Sequence, residues 1–312
     1  DLERVERSLQ ELGRSPNPLV AEINDYLFQP GGKRIRPALL ILSAKIHGYR
    51  GEEHIFWSAL VEVIHTASLI HDDIIDNADR RRGRETVHTR WGSNITVLLG
   101  DFLYIQAIKQ ALATRRLPII DIMAEVTAHM IEGELLECSF AGDPEIGEAR
   151  YFEILERKTA SLFSAACRIG GILGEAGRED VVRLGAFGTR IGLAFQVIDD
   201  LLDFTGRPSV LGKPVLSDLR EGRITLPLIL TLGRLDPAAR EGLKRLILER
   251  DSEPEAIPRI QALVTSNGAL QEAAARAARF ADEARSVLDG FPESPATEAM
   301  RRLGDFILAR AT

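Results

Sequence analysis

The stretch His65-Thr66-Ala67-Ser68-Leu69-Ile70-His71-Asp72-Asp73-Ile74-Ile75-Asp76 carries apolar residues at helical spacing straight into three acids. Read upstream, Ile55, Leu60, Ile64, Leu69 and Ile70 recur on roughly one face, the pattern of an amphipathic helix and not of a strand. On a helix, positions i and i+4 stand about 40° apart and about 6 Å along the axis, so Asp72 and Asp76 leave one face as paired carboxylates. Asp73 points partly aside. Three acids within one turn repel one another unless a cation neutralises them. Hard carboxylate oxygens suit Mg2+, which keeps waters and bridges to phosphate. A single Asp-Asp-x-x-Asp cluster reads equally well as a solvated helix surface.

A second copy changes that balance. Asp199-Asp200-Leu201-Leu202-Asp203 closes the apolar run Ile191, Leu193, Ala194, Phe195, Val197 and Ile198, and acids joined to a core-facing helix are costly to leave unpaired. Two such clusters facing one another across a bundle can hold several Mg2+ ions, with a diphosphate as the third party. Basic residues supply the complement. Gly31-Gly32-Lys33-Arg34-Ile35-Arg36-Pro37 sets several cations at a turn into a helix N-terminus, where free N–H groups also favour anions. The plain alternative is a group of surface cations beside a helix cap. Lys158-Thr159 and Lys213 are weaker signals taken alone.

Outward from these clusters the periodicity stays helical, as in Ile119, Met123, Val126, Met130 and Leu135. Breakers fall where helices would end: Pro30-Gly31-Gly32 before a helix starting near Pro37, Gly48 and Gly51, Gly142-Asp143-Pro144, Gly206-Arg207-Pro208, and Gly212 to Pro214. No linker or repeat divides the chain, which predicts one all-α domain over residues 1–312. Gln271 to Leu288, rich in Ala, Arg and Glu, reads as a surface helix with no chemical signature. The 312 residues carry a formal net charge of -7, which argues against broad capture of nucleic acid or of an anionic membrane. Cys138 and Cys167 form no ligand or disulfide pattern, and a reducing cytoplasm fits them. Uninterrupted apolar stretches stay far below the roughly 20 residues of a membrane span, so no stable membrane insertion is expected. The chain starts at Asp1 and not at Met, which leaves a removed leader open. No nucleophile elbow, P-loop or Rossmann fingerprint is present.

Over roughly residues 25 to 235 the chain resembles the trans (E-type) polyprenyl diphosphate synthases, the long-chain (octaprenyl, heptaprenyl and solanesyl) members among them. The markers, in order, are GGKRIRP (31–37), HTASLIHDDIIDNADRRRG (65–83), GDFLY (100–104), EGE (132–134), ERKTASLF (156–163), FQVIDDLLDFTG (195–206), LGKP (211–214) and DLREGRITLP (218–227). The resemblance implies an all-α bundle of long helices around a central cavity, the isoprenoid synthase fold, assembled as a homodimer. It also implies a Mg2+-dependent prenyltransferase with three ions per active site, joining isopentenyl diphosphate to an allylic prenyl diphosphate. By the same resemblance Asp72, Asp76 and Asp199 hold metal, while Asp73, Asp200 and Asp203 support them. Lys33, Arg36, His65 and Arg82 match the isopentenyl diphosphate site. Arg81, Lys158, Lys213 and Arg223 match the allylic diphosphate site, and Thr159 and Gln196 lie near the reacting carbons. Two departures stand out: Arg80 extends the usual Arg pair to three, and Arg223 stands where Lys is common, keeping the charge but not the reach. His65 on an apolar helix is otherwise an ordinary core histidine, and His71 reads as structural.

Product length follows from what lies below Asp72. Helical geometry puts Ser68 at i-4 and Ala67 at i-5, with Ile64 and Leu60 deeper. In the family that this chain resembles, bulky aromatics at those two places act as a plug. Small Ala67 and Ser68 therefore predict a long product, heptaprenyl to decaprenyl in size, of the kind used for quinone side chains. If another residue forms the floor, a farnesyl or geranylgeranyl product follows instead. Three rivals read less well. A terpene cyclase carries a different second metal motif and would leave Lys33 and Arg36 idle. A non-catalytic partner subunit usually lacks aspartates that are intact here. A di-iron bundle needs Glu-x-x-His pairs on two helices; Glu62 and His65 form one such spacing, with no second lined up with it.

Overall fold

A computed structural model describes the chain except residues 30, 31, 82, 207–215, 251, 253, 254 and 312. Helices account for nearly all of it: α1 (Leu2–Leu12), α2 (Pro18–Leu27), α3 (Ile35–Ile46), α4 (Glu53–Ile75), α5 (Val87–Trp91), α6 (Ser93–Ala113), α7 (Leu117–Ser139), α8 (Glu148–Leu155), α9 (Ser161–Leu173), α10 (Arg178–Thr205), α11 (Ser217–Arg220), α12 (Leu226–Arg234), α13 (Pro237–Leu248), α14 (Ala256–Ser266), α15 (Ala269–Val287) and α16 (Pro295–Leu308). A π-helical turn, Glu156–Ala160, joins α8 to α9. The described strands are two residues each, β1 (Arg80–Arg81) and β2 (Arg84–Glu85), paired antiparallel.

Local chemistry sets many of the helix ends. Asn17 and Asp236 each accept two backbone N–H bonds ahead of a proline at the first helical position, which opens α2 and α13. Gly48 and Gly142 follow α3 and α7 with positive φ, as the breakers predict. The helix expected from near Pro37 starts at Ile35, and the Ala-rich segment runs as α15 with Ala273, Ala277, Ala281 and Ala284 buried at close-packing spacing.

The chain divides into two compact units. The first comprises Asp1–Ala128, Leu162–Gly188 and Val287–Arg301; the second comprises His129–Ser161, Thr189–Ser286 and Arg302–Thr312. In the first unit α4 packs against α1, α3 and α6. Its middle, Trp57 to Ile64, is buried all the way round, the mark of an internal helix. His71 ties α4 to α6: its Nε2 lies 3.1 Å from the Val97 carbonyl, and a Cβ at Gly100 would overlap the imidazole ring. Gly100 of GDFLY therefore leaves room for the His71 ring between the two helices. In the second unit α12 packs against α8, α13 and α14.

One sequence expectation needs correction. Ile119, Met123, Val126 and Met130 are buried, but Leu135 is 66% exposed. Its offset of sixteen residues from Ile119 turns it about 160° off that face at 100° per residue. By length and composition α6 and α10 are long and apolar enough to cross a membrane, although neither contains an unbroken apolar run of that length. Core helices of soluble proteins meet the same criterion, and more than half of the apolar window of α10 is buried.

Candidate active site

The first acidic cluster occupies the last turn of α4. Asp76 is the C-cap, and its N–H donates to the Asp72 carbonyl at 2.8 Å. That is the negative end of the helix dipole, so three carboxylates there meet backbone repulsion as well as their own. The last turn of α4 holds no basic residue. Asp73 is 3% exposed, and burial pushes its carboxyl up while the nearby Arg81 guanidinium opposes that shift. Arg81 Nε donates to Asp73 Oδ1 at 2.6 Å. The hairpin carrying Arg81 is fastened to α2: Tyr26 Oη donates to the Glu85 carbonyl at 2.8 Å, and Arg84 Nη1 donates to the Tyr26 carbonyl at 3.2 Å. Arg84 also stacks 3.9 Å over the Tyr26 ring.

The basic cluster at the start of α3 sorts into different roles. Arg34, in the left-handed region at φ 47°, grips Glu6 with two bonds of 2.5 and 2.9 Å and Glu62 with one of 3.0 Å. Although burial works against its charge, these carboxylates raise its pKa above the usual guanidinium value. Glu62 is thus paired with Arg34 through Oε1, which counts against Glu62 and His65 as a metal-holding pair. Lys33 is exposed, and Arg36 lies 4.5 Å over the Phe163 ring. His65 is half-buried, with its carbonyl accepting the Ser68 hydroxyl at 2.8 Å. Ala67 is fully buried and Ser68 half-buried. Arg82 and Lys213 lie outside the described residues.

In the second unit the other cluster lies within the last two turns of α10, again with no basic residue in the last turn. A polar chain runs through it. Thr159 Oγ1 donates to Gln196 Oε1 at 3.1 Å, Gln196 Nε2 to Asp200 Oδ1 at 2.9 Å, and Tyr151 Oη to Asp200 Oδ2 at 2.6 Å. Burial, with Asp218 and Asp199 adding repulsion, pushes the Asp200 carboxyl up to about 8 against the two donated bonds. The same burial, next to Asp200, holds the Tyr151 hydroxyl well above its ordinary value. Asp203 caps α11: its Oδ1 accepts the Ser217 N–H at 3.2 Å and hydroxyl at 2.8 Å, and its Oδ2 accepts the Asp218 N–H at 3.2 Å. Arg223 bonds Asp218 at 2.9 Å and pairs with Glu221. Asp199 is paired with Arg310.

Lys158 and Thr159 sit on the π turn, where an extra residue per turn re-aims side chains. Lys158 Nζ is 2.6 Å from Glu134 and also bonds Glu137. Gly133 makes this approach possible, because a Cβ there would stand 2.5 Å from the Lys158 backbone nitrogen. The EGE marker therefore has a mechanical reading that spacing did not reveal. Glu134 was legible inside that marker and Asp218 inside DLREGRITLP; Glu137, Tyr151 and Arg310 gave no sequence signal.

Within each unit the structure brings the members of one acidic cluster together with an arginine. Among the described residues no three Asp, Glu, His or Cys side chains form a cage for an ion. The neighbouring carboxylates of Asp72 and Asp76 suit Mg2+, which is usually held by one or two carboxylates, waters and the phosphates of a substrate.

The sequence model of the Polyprenyl synthetase family matches residues 17–264. An octaprenyl diphosphate synthase from Haemophilus influenzae is 36% identical over 96% of this chain and 91% of its own length. Among solved structures, a polyprenyl synthase from Caulobacter crescentus, complexed with calcium and isoprenyl diphosphate, superposes with a TM-score of 0.94 at 34% identity, over 100% of this chain and 95% of that one. A decaprenyl diphosphate synthase from Rhodobacter capsulatus gives 0.93 at 35% identity, over 100% and 96%. Matched by the family's sequence across most of its length and by solved members over all of it, this chain belongs to the polyprenyl synthetase family, prenyltransferases with the all-α isoprenoid synthase fold.

Proposed function

We propose that the protein elongates an allylic (E)-prenyl diphosphate by repeated head-to-tail condensation with isopentenyl diphosphate, releasing diphosphate, to a polyprenyl diphosphate of heptaprenyl to decaprenyl size. The observation that carries this reading is the pair of acidic clusters at the C-terminal ends of α4 and α10, where the dipole adds to repulsion and the last turns supply no cation. Long relatives of octaprenyl and decaprenyl type support the product length.

In this reading Asp72, Asp76 and Asp199 hold three Mg2+ ions, with Asp73, Asp200 and Asp203 fixing their neighbours. Bound Mg2+ stabilises negative charge as it develops on the leaving diphosphate. The chain's own cations do the rest of that work. Arg81 and Lys158, oriented by Asp73 and by Glu134 with Glu137, face the allylic diphosphate together with Lys213 and Arg223. Lys33, Arg36, His65 and Arg82 hold isopentenyl diphosphate so that its double bond attacks the allylic carbon as the C–O bond breaks. The proton then lost goes to the released diphosphate. Thr159 and Gln196 stand beside the reacting carbons, and Ala67 and Ser68 let the tail pass. The whole chain acts as one polyprenyl synthase domain, in the cytoplasm, without nucleic acid or membrane insertion. It works as a homodimer, which Leu98, Ile105, Ile108 and Leu112 suit as an exposed apolar stripe on α6.

Incubation with farnesyl diphosphate, excess isopentenyl diphosphate and Mg2+ should yield products of C35 to C50 and none with EDTA. An endpoint at C15 or C20 rejects the long-chain assignment, and Mg2+-independent turnover rejects the metal assignment. Ala67→Phe should shorten the product.

A further inference from the structure

Arg310, in the turn Ala309–Ala311 after α16, lies in the same compact unit as the second acidic cluster. Its Nη2 donates to Asp199 Oδ1, and its guanidinium carbon stands 4.8 Å from the centre of the Phe195 ring, one turn before Asp199 on α10. Its Nη1 is buried and has no hydrogen-bond partner among the described residues. Arg310 is 17% exposed and Asp199 36%, so the pair is partly open to solvent. The three aspartates of the cluster are held in different ways: Asp200 by Tyr151 and Gln196, Asp203 as the cap of α11, and Asp199 by a cation from a distant part of the chain.

A guanidinium with one donor bonded, one face stacked and one donor desolvated without return is held by Asp199 but not deeply trapped. Mg2+ needs the same carboxylate oxygens. A cation within a few Å of an incoming divalent ion raises the cost of bringing that ion in, and a planar guanidinium cannot share the oxygen it occupies. We propose that Arg310 is a resident counter-ion of Asp199 which a divalent metal must displace, so that it sets the metal affinity of the second cluster before substrate arrives. This rests on the reading of Asp199 as a metal ligand. Arg310 is a positioning residue: it neutralises the cluster while empty of metal and swings to water, with its stranded donor, when metal enters.

Binding of Mn2+ alone, followed by the EPR signal of the free ion at low ionic strength, tests this in the full chain. Arg310→Gln should bind Mn2+ about three- to fivefold more tightly, the size expected of a partly exposed ion pair. Arg310→Lys, which keeps the charge, should stay near the parent, and 0.5 M KCl should narrow the gap between Arg310→Gln and the parent. The rise in melting temperature caused by Mn2+ should be larger in Arg310→Gln, and Arg310→Met serves should the glutamine variant misfold. Unchanged or weaker Mn2+ binding in Arg310→Gln, with Asp199→Asn weakened, overturns the proposal and leaves Asp199 a ligand. Unchanged binding in Asp199→Asn removes the ligand reading and the proposal with it.

Discussion

At the residue scale, burial decides which of two similar side chains has a chemical future. Lys33 and Arg34 are adjacent cations, yet Arg34 is half-buried and paired with both Glu6 and Glu62 while Lys33 is exposed. Removing Arg34 strands a buried carboxylate, so Arg34→Ala should cost about 3 kcal/mol in urea unfolding. Lys33→Ala should leave stability within about 0.5 kcal/mol and raise KM for isopentenyl diphosphate instead. The cysteines divide in the same way. Cys138 is exposed, while Cys167 is fully buried and burial pushes its thiol up to about 12. Native protein at pH 8 should therefore release one equivalent with a thiol reagent, from Cys138, and the second only on unfolding. Because the folded pKa of Cys167 lies above an unfolded value of about 8.5, its contribution is whole below that pH and is lost as pH rises toward 12. Between pH 7.5 and 10 the parent should lose about 2 kcal/mol more than Cys167→Ala.

Among the elements, the π turn and the β1–β2 hairpin are the devices that aim charge. Both carry a cation held by carboxylates, Lys158 by Glu134 and Glu137, and Arg81 by Asp73. The π turn depends on the absence of a side chain at Gly133. Gly133→Ala forces it away by more than the overlap at Lys158 allows, which should cost about 1–3 kcal/mol. Misplacing Lys158 by an ångström should lower kcat roughly 10- to 100-fold with far-UV helicity retained. Full activity in a folded Gly133→Ala protein counts against the turn as an aiming device. The hairpin was invisible to pattern reading because two-residue strands have no periodicity, and Tyr26, which fastens it, lies some 55 residues away in the chain as an ordinary aromatic.

For the whole molecule, the apolar stripe on α6 is the exposed surface that most needs covering. Leu98 is 68% exposed and Ile105 62%. Under the homodimer proposal, Leu98→Glu with Ile105→Glu should halve the mass in sedimentation equilibrium without lowering helix content. A parent that sediments as a monomer at micromolar concentration rules that assembly out.

Helical periodicity, the two acidic clusters and the order of the basic markers are local properties, written in residues a few positions apart, and the sequence alone determined them: the all-α class, the family, and the residues around which the chemistry is arranged. Which charges are answered was decided by tertiary structure, because burial and pairing depend on residues far apart in the chain. Arg310 meets Asp199 across 111 positions, Tyr151 meets Asp200 across 49, and Arg34 meets Glu6 and Glu62 across 28 each. No spacing rule encodes such meetings. They exist once packed helices exclude water, since only then does an unpaired charge become costly enough to select its partner.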